Sequence, residues 1–359
     1  MVMANKHLVF EPDYAVPPGE TLREVLESLG MAQTELSLRT GLTVQTISRV
    51  LKGKQPITFE TASKLELATG VPARMWNNLE AYFREQQARL GERGRLREDA
   101  DWLAEIPVKE LIKRKVLADE KDKATLVRSA LAFYGVSSVS AWQAYWHDQA
   151  IAARSTKAFE SQPGPTSAWI RLGELKSQEC NCQPYDRPSF VKALGRVRAL
   201  TIQSPRQFVP AMRQECSKCG VAVCLVPEMP GMRWYGASKW LTPTKAMILL
   251  GLRGKREDQF WFSFFHEAGH ILNDSRKDVY INDGTRDDRR EKDADTFATS
   301  LLVPPQFHPR LQCLKTKTEL IAFAKETGIS PGIVAGQFQH LTHKWNWFNG
   351  LKRKFTWTS

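Results

Sequence analysis

The sequence contains no apolar run that approaches the roughly 18 residues of a membrane-spanning helix. It also has no internal repeat. Near its start there is no apolar segment flanked by Lys or Arg, so a signal peptide is not predicted. We therefore expect a cytoplasmic protein without a membrane partner.

Cysteine is scarce, with 6 residues among 359, and a reducing cytoplasm keeps such residues as thiols. Two pairs, Cys180-x-Cys182 and Cys216-x-x-Cys219, have a spacing that permits a second zinc site with four thiolates. The alternative, which we favour, is that Cys216 and Cys224 are small core residues on apolar faces. Cys180 and Cys182 would then lie in a polar loop.

Histidine is also scarce, and its scarcity gives weight to one short motif. With 7 His and 24 Glu in the chain, a chance H-E-x-x-H is expected on the order of 0.01 times. The chain has this motif at His266-Glu267-Ala268-Gly269-His270, in an aromatic run that predicts a buried helix. Positions i and i+4 share one face of a helix. His266 and His270 can therefore bind one Zn²⁺, while Glu267 reaches a water at the metal.

A catalytic zinc needs a third protein ligand, and Glu291 lies 21 residues after His270 (291 − 270). This spacing allows a helix end, a loop and the start of an antiparallel helix. Asp295 follows one turn later and is expected to accept the free ring N–H of a ligating histidine. Three alternatives stay open: Glu291 and Asp295 lie on a solvated helix face, the two histidines are core residues, or a zinc site is structural or inactive.

The chemistry expected of such a site is attack of water on a peptide carbonyl. Glu267 would be the catalytic base that takes the proton and later delivers it to the leaving amine. A second electrophile for the oxyanion is also expected. The sequence does not choose among its candidates, which are Tyr280, His308, His340 and His343.

Three short apolar runs precede the motif, at residues 221–226, 234–237 and 246–250, and Pro and Gly residues separate them. These runs predict the strands of a small sheet, so the C-terminal part has an α+β pattern. The last strand directly precedes the motif helix. It either pairs with an extended substrate or belongs only to the core.

The N-terminal part has a different pattern, that of five short helices at about residues 20–29, 33–39, 44–51, 58–69 and 73–90. Gly41 turns the chain between the second and third helices, and Thr43 offers an N-cap for the third. Two short helices joined through such a turn form a helix-turn-helix unit. This arrangement predicts an all-α DNA-binding domain.

The third helix would present its polar side to DNA. Gln and Arg side chains can bond adenine and guanine edges, and apolar groups contact the thymine methyl. The residues expected to contact DNA bases or phosphates are Gln33, Thr43, Val44, Gln45, Thr46, Arg49, Lys52 and Lys54. Residues 19–90 hold 9 Lys and Arg against 8 Glu, a net charge of +1, so this prediction rests on the pattern and not on charge. The alternative is a small helical interaction domain.

The motifs of this chain resemble those of two families. The run from Ser48 to Thr58 and the segment Trp76-Asn77-Asn78-Leu79-Glu80 resemble the HigA-type antitoxins of the XRE helix-turn-helix class. Residues 260–305, with Phe265-His266-Glu267-x-x-His270, Glu291-x-x-Ala294-Asp295 and Leu302-Val303-Pro304, resemble the ImmA/IrrE metallopeptidases.

The resemblance implies a zincin-like peptidase domain with His266, His270 and Glu291 as zinc ligands and Glu267 as catalytic base. HigA relatives usually repress their own operon as dimers and neutralise a ribonuclease toxin, whereas ImmA relatives cleave a repressor. A HigA antitoxin typically ends near the fifth helix, so the long C-terminal part of this chain departs from that pattern.

At 359 residues the chain is long enough for two or three domains. We expect a tail over residues 1–18, a helix-turn-helix domain over 19–91, a helical connecting region over 92–204 and the peptidase domain over 205–359, with a hinge at 91–95. The expected function is a cytoplasmic, HigA-like regulator that binds a double-stranded DNA operator as a homodimer and cleaves a protein substrate with Zn²⁺, so that proteolysis is coupled to repression. One alternative is a non-enzymatic antitoxin or autorepressor that binds a cognate toxin and uses the zinc domain as a sensor or scaffold. Another is a protease whose helix-turn-helix domain merely tethers it to DNA.

Overall fold

The computed structural model describes residues 13–152, 163–232, 234–273, 279–282 and 289–357, and for 147–152 and 279–282 it describes the backbone alone. The described residues form two compact units. The first comprises residues up to Ala100 together with Asp122–Val127, and the second comprises Asp101–Lys121 and the residues from Arg128 onward. Within these ranges no helix is both long and apolar enough to cross a membrane.

Five helices build the first unit: α1 (Pro18–Ser28), α2 (Gln33–Thr40), α3 (Val44–Leu51), α4 (Phe59–Thr69) and α5 (Ala73–Glu98). Their apolar faces meet in a core that includes Leu22, Leu36, Ile47, Leu65 and Trp76, which are all at most 1% exposed. The all-α expectation for this part is confirmed. Residues 1–12 of the expected tail lie outside the described residues.

The expected hinge at residues 91–95 is wrong, because α5 continues through it to Glu98. Gly91 and Gly94 each cost about 1 kcal/mol in a helix relative to alanine. The surrounding Arg, Leu and Glu residues are strong helix formers, and Arg89 bonds Glu85 one turn earlier at 2.7 Å. These helix-forming residues and the ion pair therefore outweigh the tendency of the two glycines to break the helix.

The second unit begins with helices, as the expectation of a helical middle required. They are α6 (Val108–Lys113), α7 (Lys123–Tyr134, which begins in the first unit), α8 (Val139–Ala152), α9 (Pro163–Gln178), α10 (Arg187–Ala199) and α11 (Pro205–Ser217). Trp102, Tyr134 and Trp142 pack against one another in this region, with ring centroids 5.4–6.0 Å apart and ring planes inclined by 60–68°. These aromatics serve as a helix–helix core.

A four-stranded sheet follows, with strands β1 (Val221–Leu225), β2 (Gly236–Thr242), β3 (Lys245–Leu250) and β4 (Val279–Asn282) in the order β1-β3-β2-β4. β3 pairs with β1 in parallel and with β2 antiparallel. Both edges of β3 are thus occupied, so the idea that this strand pairs with an extended substrate is wrong. Its run of five buried residues agrees with a central position.

Five further helices complete the unit: α12 (Glu257–Asn273), α13 (Arg289–Leu302), α14 (His308–Gln312), α15 (Lys317–Thr327) and α16 (Pro331–Thr342). Aromatic side chains of α12, among them Trp261, Phe264 and Phe265, are fully buried between the sheet and the later helices. This packing holds α12 at the centre of an α+β unit and confirms the expected fold class.

The cysteines do not gather around a second metal site. In the ranges that the structure covers, one group of three or more potential ligands is close enough to hold an ion, and it contains no cysteine. Cys216 and Cys224 are fully buried, while Cys180 and Cys182 are half-buried. The interpretation of Cys216 and Cys224 as core residues is therefore confirmed, and the four-thiolate alternative is not.

Candidate functional site

The residues of the H-E-x-x-H motif lie on one buried stretch of α12. His266, Glu267 and His270 are each at most 2% exposed. Because ionisable side chains are rarely buried without a partner, this burial calls for compensating groups nearby.

Glu291, on the next helix α13, provides a compensating carboxylate. The Nε2 atoms of His266 and His270 lie 3.0 Å apart, and the two carboxylate oxygens of Glu291 lie 3.1 Å and 3.2 Å from them. The structure therefore brings His266, His270 and Glu291 together, and their ligand atoms form a compact triangle.

The triangle depends on a close approach of two helices. A Cβ at Gly269 would lie 3.2 Å from the Cα atom of Ala294 on α13 and 3.2 Å from the ring of Phe297. The missing side chain lets α13 lie directly against α12. Glu291 is one turn before Ala294, so its carboxylate reaches the two imidazoles.

Asp295 lies on the far side of the His266 ring. Its Oδ1 is 2.9 Å from Nδ1 of His266. In the neutral tautomer whose Nδ1 donates this hydrogen bond, Nε2 carries the lone pair that a metal ion in the triangle would require.

The donor set fits a zinc ion. Zinc bonds of about 2.0–2.2 Å in a tetrahedral arrangement separate ligand atoms by about 3.3–3.6 Å, slightly more than the observed 3.0–3.2 Å. In addition, Oε1 of Glu267 is buried without a hydrogen-bond donor. Oε1 of Glu291 lies 3.2 Å from Nε2 of His270 but has no well-aligned donor. A cation and its water would satisfy both atoms.

The electrostatics also favour a cation. Burial works against a charge on His266, but the hydrogen bonds to Asp295 and Glu291 outweigh it and raise the pKa of His266 to about 10. Burial likewise opposes ionisation of Glu291, yet the two imidazoles hold its pKa at about 2. Carboxylates thus impose a field at this place that stabilises positive charge.

Glu267 has surroundings of its own. Its Oε2 accepts a hydrogen bond of 2.7 Å from Oγ of Ser238 on β2. A Cβ at Gly236 would come within 2.8 Å of Oε1 and 2.9 Å of Cγ, so a larger residue there would displace the Glu267 side chain. Burial raises the pKa of Glu267 to about 7, although the imidazoles and Ser238 oppose the shift. A carboxyl group with this pKa exchanges protons near neutrality.

A cavity of about 470 Å³ adjoins the triangle, and His266, Glu291 and Asp295 form part of its wall. Of the four candidates for the oxyanion electrophile, His340 lines this cavity. His308 does not, and its Nε2 lies 2.9 Å from the carbonyl oxygen of Val303. His343 is an exposed residue beyond the end of α16, and the side chain of Tyr280 lies outside the described residues.

Other residues of the site were missed by sequence reasoning. Ser238 and Gly236 lie on β2, Tyr235 directly precedes it, and Arg256 and Lys352 line the cavity. Arg256 directly precedes the helix that carries His266, but nothing in the sequence marks it as a residue of the site. The others are placed by long-range contacts.

In the first unit, α2 and α3 meet through Gly41, which ends α2 in the left-handed conformation with a φ of 71°. Thr43 caps α3, and its Oγ1 accepts a hydrogen bond of 3.1 Å from the backbone N–H of Thr46. Ile47 and Val50 turn into the core.

The opposite side of this unit carries the residues expected to contact DNA. Gln33, Thr43, Val44, Gln45, Arg49, Lys52 and Lys54 are exposed, and Thr46 is half-buried beside its cap. The structure thus places all eight on the accessible surface of the α2–α3 region, and their contact with DNA stays a prediction.

Comparison with known proteins locates two families in the chain. A helix-turn-helix family model matches residues 22–76, and a model of the IrrE N-terminal-like domain, from peptidase family M78, matches residues 219–337. His266, Glu267, His270 and Glu291 lie inside the second match. A relative from Escherichia coli (strain K12), the "Uncharacterized HTH-type transcriptional regulator YddM", is 35% identical over 63 residues. That alignment covers 18% of this chain and 67% of the relative.

Proposed function

Because the chain belongs to the helix-turn-helix-type transcriptional regulators and carries an IrrE N-terminal-like domain, we propose that it couples operator binding to zinc-dependent proteolysis. His266, His270 and Glu291 are the zinc ligands, Glu267 is the catalytic base, and Asp295 positions His266. The substrate is a protein, cleaved within its chain.

The observation that carries the enzymatic part is the convergence of three ligand atoms beside a buried carboxyl group. Zinc, when bound, lowers the pKa of a water and polarises a peptide carbonyl. Glu267 takes the proton from water and delivers it to the leaving amine, and its pKa near 7 suits both directions of transfer. Ser238 holds one oxygen of Glu267 and leaves the other available.

Asp295 contributes through His266 and not through the substrate. By accepting the Nδ1–H bond, it fixes the ring orientation and keeps Nε2 as the ligating atom. His340 lines the same cavity, which supports it over His308 and His343 as the group that stabilises the oxyanion.

The DNA-binding part rests on the exposed polar side of α3. Gln45 and Arg49 contact base edges, and Val44 and Thr46 contact a thymine methyl. Lys52 and Lys54 bind DNA phosphates. Gln33 and Thr43, at the N-termini of α2 and α3, contact the DNA backbone. One such helix gives limited affinity, so the protein binds a palindromic operator as a homodimer.

The test of the enzymatic proposal is Glu267→Gln in cells, compared with wild type by mapping newly formed protein N-termini. The variant keeps the three zinc ligands, and we expect it to retain bound metal and to abolish a set of cleavages. Asp293→Asn is the matched control, because its carboxylate is 63% exposed on α13, the helix that also carries Glu291. If Glu267→Gln and wild type give identical N-termini and identical repression, the peptidase proposal is wrong. The chain would then be a non-enzymatic repressor or antitoxin, with a toxin as partner.

A further inference from the structure

The cavity beside the metal centre extends along α12 away from the zinc ligands. Arg256 directly precedes this helix, and Arg256, Gln259, Ser263 and His266 follow one another at intervals of three and four residues along the cavity wall. At 1.5 Å per residue, the ten positions from Arg256 to His266 span about 15 Å. The cavity therefore has a metal end and an arginine end.

Arg256 is half-buried, and in the described part of the chain it makes no ion pair. Its Nη1 donates a hydrogen bond of 3.0 Å to the side-chain oxygen of Asn349, which is neutral. The two acids nearest in sequence are already paired, Asp258 with Lys352 at 2.6 Å and Glu257 with Arg353 at 2.6 Å. The arginine end of the cavity thus retains one positive charge.

The guanidinium is held in a fixed position. Asn349 accepts a second hydrogen bond, of 3.0 Å, from Nε2 of Gln339, and its own Nδ2 donates to the carbonyl oxygen of Trp345 at 3.2 Å. Trp345 and Lys352 complete the wall at this end. The stretch matched by the peptidase family ends at 337, so the match includes Arg256 but not the residues at 339–352 that hold it.

We propose that Arg256 is a specificity-determining residue that binds a carboxylate of the peptide substrate. An extended peptide advances about 3.3 Å per residue, so the carboxylate lies four or five residues from the scissile bond. Arginine suits this task because its planar donors match a carboxylate in two-point contact. The carboxylate belongs either to an acidic side chain or to the C-terminus of the substrate. This inference rests on the proposed peptidase function.

The test uses the zinc-loaded full chain and fluorescent decapeptides of one apolar sequence. One series carries Glu or Gln at successive positions, and another carries a free or amidated C-terminus. Affinity is measured by fluorescence anisotropy on Glu267→Gln protein, and cleavage is measured on protein with Glu267 intact. We expect an affinity at least about ten-fold higher for the carboxylate member of one pair, as is typical of a charge-assisted bond.

Two variants test Arg256 itself, and each is made both in Glu267→Gln protein and in protein with Glu267 intact. Arg256→Gln should bind the carboxylate and neutral members of each peptide pair about equally. Asn349→Asp keeps the guanidinium but supplies it with a permanent carboxylate, so the preference should disappear here as well. Lys354→Gln is the control, because it removes the same charge from an exposed neighbour that does not line the cavity. It should retain the preference.

The side-chain series and the C-terminal series distinguish the two sources of carboxylate. Equal affinity for all pairs in wild type, or an unchanged preference in both Arg256→Gln and Asn349→Asp, would overturn the inference. If inorganic phosphate binds through Arg256 while the peptide pairs bind alike, the site takes a small anion and the assignment to a peptide is wrong. Carboxylate-dependent binding without cleavage of any peptide would refute the peptidase function and leave the recognition by Arg256 in place.

Discussion

His266 and Asp295 form a hydrogen bond of 2.9 Å between Nδ1 and Oδ1 on the side of the ring that faces away from Glu291. The imidazole is therefore held between two carboxylates from the same helix, α13. One of them reaches its Nε2 and the other its Nδ1. A single helix thus controls both the orientation of the His266 ring and the placement of Glu291, the proposed third ligand.

Replacement of Asp295 by Asn should weaken zinc binding by about 10–100-fold, the usual effect of losing such a supporting carboxylate. The amide keeps the size of the side chain but lacks the charge that favours Nδ1–H on His266. Competition with a fluorescent zinc chelator measures the change, and Asp293→Asn should leave the affinity unaltered. An unchanged affinity in Asp295→Asn would show that Asp295 does not position the ligand.

Glu267 should make the stability of metal-stripped protein depend on pH. Its pKa of about 7 in the fold exceeds the ordinary value of 4.5, so folding favours the protonated form. The stabilisation that this proton gives is present below pH 4.5 and is lost as the pH rises through 7. Glu267→Gln carries no such group. The free energy of unfolding of Glu267→Gln minus that of wild type should therefore be about 2 kcal/mol larger at pH 8.5 than at pH 5.5.

Chemical denaturation of both proteins at the two pH values measures this difference. Saturation with zinc should diminish it, because the ion favours the ionised carboxylate. If the difference between Glu267→Gln and wild type is the same at both pH values, the carboxyl group is not protonated in the fold near neutrality.

Two residues near α3 should affect DNA binding in different ways. Arg49→Ala should cost about 1–3 kcal/mol on a selected operator and relax the sequence preference, because Arg49 is expected to bond a base. Lys52→Ala should weaken binding on every sequence and reduce the slope of log affinity against log salt by about one. Lys64→Ala is the control, since its ammonium pairs with Glu60 on α4. Titrations at several salt concentrations would contradict these roles if all three variants behaved alike.

Arg353→Gln should strongly destabilise the second unit. Arg353 donates from Nε at 2.6 Å and from its backbone N–H at 2.8 Å to Glu257, which is fully buried. Removing the cation leaves a buried carboxylate uncompensated, at a cost of about 3 kcal/mol or more. Arg310→Gln breaks an exposed pair with Glu326 and should cost less than about 1 kcal/mol. Thermal unfolding compares the two, and equal midpoints would refute the role of Arg353.

Sequence periodicity predicted much of the fold because the relevant signals are local. Gly41 and Thr43 mark the end of α2 and the start of α3 in their own side-chain chemistry. The spacing of His266 and His270 places both imidazoles on one face of any helix, and an acidic residue 21 positions later can return to them. The structure brings Glu291 to that place.

What the sequence did not predict depends on distant partners. The order of the strands follows from pairing between residues far apart, so the central position of β3 was missed. The short strand β4 gave no periodic signal. Ser238 meets Glu267 across 29 positions, and Lys352 meets Asp258 across 94 positions. Neither contact leaves a trace in local composition.

The buried pair of Glu257 and Arg353 has a consequence for biosynthesis. The first turn of the helix that carries both imidazoles is completed by a residue almost a hundred positions later. While the ribosome has not yet released residue 353, Glu257 lacks its cation, and the surroundings of the metal centre are unfinished. We therefore expect the proposed zinc site to bind its ion only after this segment has been translated.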